Sequence, residues 1–226
     1  RSSACPLGQV CDRDAGICSW GNKVLVSWFR SDTRQYREAG WLPEKERERW
    51  DAVFAAWTDD MVKELLGSYV MRSDDGGETF GDPIRVPVSA PHGPIVLQDG
   101  GLLYLGKPYG VFDDLRFGPV LAVRSDDEGE TWQELGEVPL CPGTAGGHYH
   151  EPHVVELPDG KLIGMIRIQN YEGCARLEDL GLVHFSIMQT ESTDGGKTWT
   201  EAKPLGFHGS PPHIMRHSSG ALVLTY

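Results

Sequence analysis

Glu151 and Arg167 lie 16 residues apart in "EPHVVELPDGKLIGMIR", on either side of the turn dipeptide Asp159-Gly160. A turn dipeptide between two apolar runs predicts a hairpin, so the two charges meet at its open end. A guanidinium there can hold a carboxylate through two parallel hydrogen bonds, and a carboxylate beside it can do acid–base work or bind hydroxyls. The same stretch, "GGHYHEPH", adds His148, His150 and His153. A second hairpin, "HGPIVLQDGGLLYLGK", opens with His92 and closes with Lys107, seven residues after its turn glycine, as Arg167 is after Gly160. "CDRDAGI" places Arg13 and Asp14 at the matching end of an earlier unit. This set predicts one pocket for an anionic ligand. Arg167, Arg13 and Lys107 supply positive charge, and His92, His150 and His153 donate hydrogen bonds. Zinc-ligand spacing is absent, so neither a metal nor a cofactor is expected.

The elements that must position these groups repeat. Hairpin turns recur at Asp99-Gly100, Asp159-Gly160 and Ser219-Gly220, spaced 60 residues apart. Between them stands one sentence written three times: "SDDGGETF" from Ser73, "SDDEGETW" from Ser125 and "STDGGKTW" from Ser192. The sequence predicts that Asp75, Asp127 and Asp194 accept hydrogen bonds from turn N–H groups. Gly77, Gly129 and Gly196 take positive φ, and Phe80, Trp132 and Trp199 pin each turn against the neighbouring unit. These aspartates are structural. Each unit reads as strand, tight turn, strand, connection, strand, box turn, strand, which is the blade of an all-β propeller. The units run 12–88, 92–140, 150–205 and, incompletely, 212–226, within one domain over 1–226. A propeller has four to eight blades, so about three and a half form only part of a ring. A helical insertion at about 42–66 interrupts the first unit. In it Trp50, Val53, Phe54 and Trp57 share a packed apolar side, and Thr58 caps a second helix.

Composition sets limits. The 226 residues carry 21 Lys+Arg against 33 Asp+Glu, a net charge of -12. That excludes a nucleic-acid backbone as main partner and disfavours an anionic membrane surface. No apolar run reaches the roughly 18 residues of a membrane span, so no membrane insertion is expected. Five cysteines, with no C-x-x-C pair, predict reduced and mostly buried thiols rather than a disulfide framework. A chain that starts at Arg1 and stops inside "ALVLTY" is expected to be a fragment, inactive alone. A leader upstream would make the protein secreted or periplasmic.

The three boxes, the "E…VVELPDGKLI…R" hairpin and "PHGPIVLQDGGLLY" resemble the sialidase (neuraminidase) superfamily. "DRDAG", "PHGPI", "YHEPH" and "PPH" are similar to bacterial exo-alpha-sialidase-like proteins. The resemblance implies a six-bladed propeller and a retaining glycoside hydrolase acting on sialylated or other acidic glycans. It implies that Glu151 takes the proton from a tyrosine nucleophile and that Arg167 is one of three arginines on the substrate carboxylate. Asp14 resembles a rim aspartate and is carried with Glu151 as a catalytic carboxylate. The histidines around this pocket are a departure from the sialidase pattern. They keep open a related acidic sugar, a lyase acting on uronic acids, or a carbohydrate-binding propeller without hydrolysis.

Overall fold

The computed structural model describes residues 9–12, 17–37, 40, 42–108 and 118–226, with residues 9–12, 17–20 and 35 described by backbone alone. Arg13 and Asp14 lie outside the described residues.

The strands form antiparallel sheets in chain order. The first sheet is β1 (Gln9–Asp12), β2 (Ile17–Trp20), β3 (Lys23–Arg30), β4 (Gly67–Ser73) and β5 (Ile84–Val86), neighbours throughout. The second holds β6 (Val88–Ser89), β7 (Ile95–Val96), β8 (Leu102–Pro108), β9 (Leu121–Ser125) and β10 (Gln133–Glu137); β6 and β7 both pair with β8. The third is β11 (Tyr149–Glu156), β12 (Leu162–Ile168), β13 (Ser186–Ser192) and β14 (Lys203–His208). β15 (His213–Arg216) and β16 (Leu222–Thr225) pair as the last hairpin. None of the sheets closes on itself. The middle strands are buried on both faces, which is why "LIGMIRI" reads as a nearly continuous apolar run.

Each sheet packs on the next. Leu25 and Val70 of the first meet Leu102, Tyr104 and Val123 of the second. Leu103, Leu105 and Ala122 of the second meet Val154, Leu162, Ile166 and Met188 of the third. Val155, Ile163 and Ile187 of the third meet Ile214 of the last hairpin.

The three boxes fold alike. In each, the serine hydroxyl accepts the glycine N–H and donates to the aspartate; the Ser–Asp distances are 2.6, 2.8 and 2.9 Å. The aspartate then accepts the threonine N–H and hydroxyl. These bonds hold the Asp75, Asp127 and Asp194 carboxyls well below the usual carboxylate range, with hydroxyl donation the largest cause. Trp132 and Trp199 donate from the indole to their box glycine carbonyls at 3.0 Å. Phe80 departs from the expected pinning role. Its ring has no N–H to offer, and it stays 40% exposed.

The helices between β3 and β4 also differ from the expectation. α1 (Glu44–Phe54) and α2 (Asp59–Leu65) form, and Thr58 accepts the Met61 N–H at 3.2 Å as an N-cap. Yet α1 buries none of its residues. Its rings pack on one another instead of into a core: Trp50 on Phe54 at 5.6 Å and Phe54 on Trp57 at 5.2 Å. Charge ties it down, through Arg37 to Asp51 at 2.7 and 2.8 Å. Cys141 and Cys174, the cysteines whose side chains are described, are free thiols and half-buried rather than buried.

Candidate functional site

The β11–β12 hairpin brings Glu151 and Arg167 together at 3.0 Å. The pairing register shifts between His150 and His153, the stretch that carries Glu151. Glu151 takes φ +47°, a left-handed conformation that a glutamate adopts only under constraint. Arg167 is anchored from the last connection, where its Nη1 donates to Ser210 Oγ at 3.0 Å, and its guanidinium lies over the Phe185 ring at 5.5 Å.

The pair is not fully satisfied. Arg167 Nε is buried without a hydrogen-bond partner, while Glu151 Oε2 meets Arg167 Nη1 as an ion pair outside hydrogen-bond geometry. Burial pushes the Glu151 carboxyl above its ordinary value, and Arg167 only partly pulls it back. Burial likewise lowers the Arg167 guanidinium against the pull of Glu151. Native interiors rarely leave such groups unpaired.

Lys107 and His150 sit beside the pair. Lys107 Nζ donates to Gly146 O at 2.6 Å, and His150 Nε2 lies 2.9 Å from Gly147 O. A proton on Nε2 satisfies that carbonyl and leaves Nδ1 as the acceptor. Burial moves the Lys107 ammonium down to about 8 and, with the charges of Lys107 and Arg167, the His150 ring down to about 4.

Two histidines expected at the pocket rim are elsewhere. His148 is fully buried; Ala145 N–H donates to its Nδ1 at 3.0 Å, and its Nε2 faces Ala175 O at 2.8 Å. It ties the loop before β11 to the connection after β12. His153 is buried too, and Ile214 N–H donates to its Nδ1 at 3.1 Å. Its ring packs against His213 at 4.2 Å and His92 at 5.1 Å. Burial, then the neighbouring imidazoles, hold His153 well below its ordinary value and His92 at about 4. These rings are neutral wall, not cations.

His213 escaped the sequence reading. Its signal was the dipeptide Pro-His, which recurs at Pro91-His92, Pro152-His153 and Pro212-His213 with spacings of 61 and 60 residues. The period brings the three rings together. Among the described residues no set of three His, Cys, Asp or Glu is placed to hold a metal ion. The Asp75 carboxylate lines a cleft of about 480 Å³ with Arg72, Asp74 and Glu130, at the box end rather than beside Arg167. No described helix is long and apolar enough to cross a membrane.

Solved structures share the fold. A Dyadobacter fermentans protein of unknown function is 18% identical, with a TM-score of 0.60 over 89% of this chain and 52% of that one. A Penicillium chrysogenum alpha-L-arabinanase complexed with arabinobiose is 17% identical, with a TM-score of 0.55 over 89% and 53%. The Hadza microbial sialidase Hz136 is 19% identical, with a TM-score of 0.45 over 85% and 31%. The chain thus spans about half the length of the first and the arabinanase, and less of the sialidase. No curated protein sequence matches it. The family described as BNR repeat-like domain matches residues 12–224, so the chain belongs to that family.

Proposed function

We propose that this protein is a glycoside hydrolase of exo-alpha-sialidase type, binding a terminal acidic sugar through Arg167. The observation that carries the reading is the Glu151–Arg167 ion pair, in which the buried Arg167 Nε has no acceptor. A sugar carboxylate meeting Arg167 would supply the missing acceptor and replace Glu151 as its counter-charge. Glu151, released from that duty, would take the proton from the attacking hydroxyl of a retaining mechanism. The raised carboxyl of Glu151 suits a base that must accept a proton near neutrality. Lys107 adds a donor and His150 Nδ1 an acceptor on one side of the ligand, and His92 offers a buried, unpartnered Nε2. Asp14 and Arg13 are proposed to complete the rim. On this reading the chain makes about three and a half blades of a six-bladed propeller, and its ligands are sialylated or related acidic glycans.

A second reading follows from the wall. His92 and His150 are neutral, and a structural neighbour was solved with arabinobiose. Neutral imidazoles suit hydroxyls, so the alternative is an acidic sugar other than sialic acid, bound with or without cleavage.

The test is release from a fluorogenic alpha-sialoside and a fluorogenic beta-glucuronide, by the protein and by its Arg167→Ala and Glu151→Gln variants. Arg167→Ala should weaken binding by about 1.5–3 kcal/mol, the range for a charge-assisted bond. Glu151→Gln should lower turnover far more than affinity. Affinity unchanged in Arg167→Ala sinks the carboxylate role, and a normal rate in Glu151→Gln removes Glu151 from the chemistry.

A further inference from the structure

Phe185 is unusual in three ways at once. It takes φ +51°, one of only three non-glycine residues with positive φ among those described. It is 41% exposed, so its ring gains little from burial. And it lies against Arg167, the guanidinium 5.5 Å from the ring centroid. A bulky aromatic residue in the left-handed region is an outlier, since the turn itself would be met by Gly or Asn without strain.

The surroundings hold it there. Phe185 O accepts the Gly209 N–H at 2.8 Å, and Ser186 Oγ donates to Val183 O at 2.6 Å. His184 O lies 3.1 Å from His208 Nδ1, and the His184 ring packs on Phe185 at 4.4 Å. A strained conformation fixed from several sides is found at ligand clamps. Glu151, the other strained residue at this end, touches the same arginine. Both flank Arg167, and each is held in a conformation its own turn does not favour.

We infer that Phe185 is an aromatic platform that takes the apolar face of the sugar ring next to the acidic one, so that the site reads an acidic oligosaccharide rather than a lone acidic sugar. The inference rests on the acidic-sugar reading of Arg167. A carboxylate held by the guanidinium anchors the first ring. The second ring then reaches the part of the Phe185 ring left open by Arg167 and His184, where C–H groups pack on an aromatic surface.

The experiment compares two ligand pairs by saturation-transfer NMR and calorimetry: 3′-sialyllactose against free sialic acid, and a glucuronic acid-capped disaccharide against glucuronic acid. In the wild type the longer member of one pair should bind more tightly. In Phe185→Ala and Phe185→Leu the ratio of the two affinities should fall at least about tenfold, and Phe185→Tyr should restore it; Leu keeps bulk without an aromatic face. An unchanged ratio in Phe185→Ala and Phe185→Leu overturns the platform while leaving the Arg167 reading intact. A fall that Leu escapes also overturns it, because bulk alone then suffices. No binding of either acidic sugar by the wild type overturns the reading of Arg167 and the platform with it.

Discussion

The box turns and the surroundings of Arg167 are built on opposite principles. At the boxes every polar group has a local partner: serine, aspartate and threonine close a ring of short bonds within eight residues. Positive φ falls on glycine at Gly76, Gly77, Gly129, Gly195 and Gly196, where it costs least. Around Arg167 the partners come from distant segments, polar atoms are left over, and positive φ falls on Glu151 and Phe185. The first region is solved once and repeated, because its task is to turn the chain. The second holds strain and unspent hydrogen-bonding capacity, which on the proposed reading a ligand from outside would use.

The largest effect should come from the satisfied region. A Cβ on Gly136 would stand 2.1 Å from Lys197 O and 3.0 Å from Gly196 O, both backbone atoms of the third box. Backbone cannot swing aside as a side chain does, so β10 and that box would have to separate. Gly136→Ala should therefore cost about 3 kcal/mol or more. For a chain of this size that lowers Tm by about 6–12 °C. Thermal unfolding by circular dichroism checks it. A shift under about 2 °C would mean that the boxes are not close-packed against their neighbours, and the contrast would lose one side.

Acid should then discriminate between the regions. His92 and His150 are held near 4 by burial, against an unfolded value near 6.5. The unfolded chain therefore takes up protons first as pH falls. Their contribution is intact above about pH 6.5 and is lost progressively down to about 4, below which both states are protonated. His153 extends the loss to lower pH. The box aspartates contribute in the other direction of titration, above the unfolded carboxylate value, and lose that contribution only at pH below about 4. Amide exchange at pH 5 should thus loosen β11 and β15 before the box turns. Equal protection in both regions at that pH would contradict the assignment of neutral buried histidines.

A smaller effect is spectroscopic. In Arg167→Ala the Glu151 carboxyl loses the charge that opposes the effect of burial, so its titration midpoint should move further up. Carboxyl carbon NMR reads this directly, and a downward move would show that another cation governs Glu151.

The same division explains what the sequence made legible. The boxes, the hairpin turns and the meeting of Glu151 with Arg167 follow from local spacing, and local spacing is visible in a string. The burial of His148 and His153 was not, because each is fixed by a backbone partner from another segment, Ala175 O and Ile214 N–H. The histidine cluster was hidden for a related reason. Each imidazole looked like a rim donor alone, and only the recurring Pro-His dipeptide links them across sheets. Phe185 carried no signal at all, since strain at one φ and the approach of Arg167 are properties of the fold.

The finest test lies in the one box that breaks its own rule. Glu128 takes φ +61° where the other boxes have Gly76 and Gly195. A non-glycine residue there costs about 1–2 kcal/mol. Against this, the Glu128 carboxylate pairs with Lys23 of β3 and lies 3.6 Å from Arg72 of β4, bridging the first and second sheets. Such half-exposed pairs contribute about 0–1 kcal/mol and are screened by salt. Relief of strain should therefore win narrowly. Glu128→Gly should raise Tm by about 1–3 °C at moderate salt, and the gain should grow as salt weakens the pairs that the wild type keeps. A variant less stable than the wild type at high salt would mean that the bridge between sheets outweighs the turn, and that the boxes join sheets as well as reverse the chain.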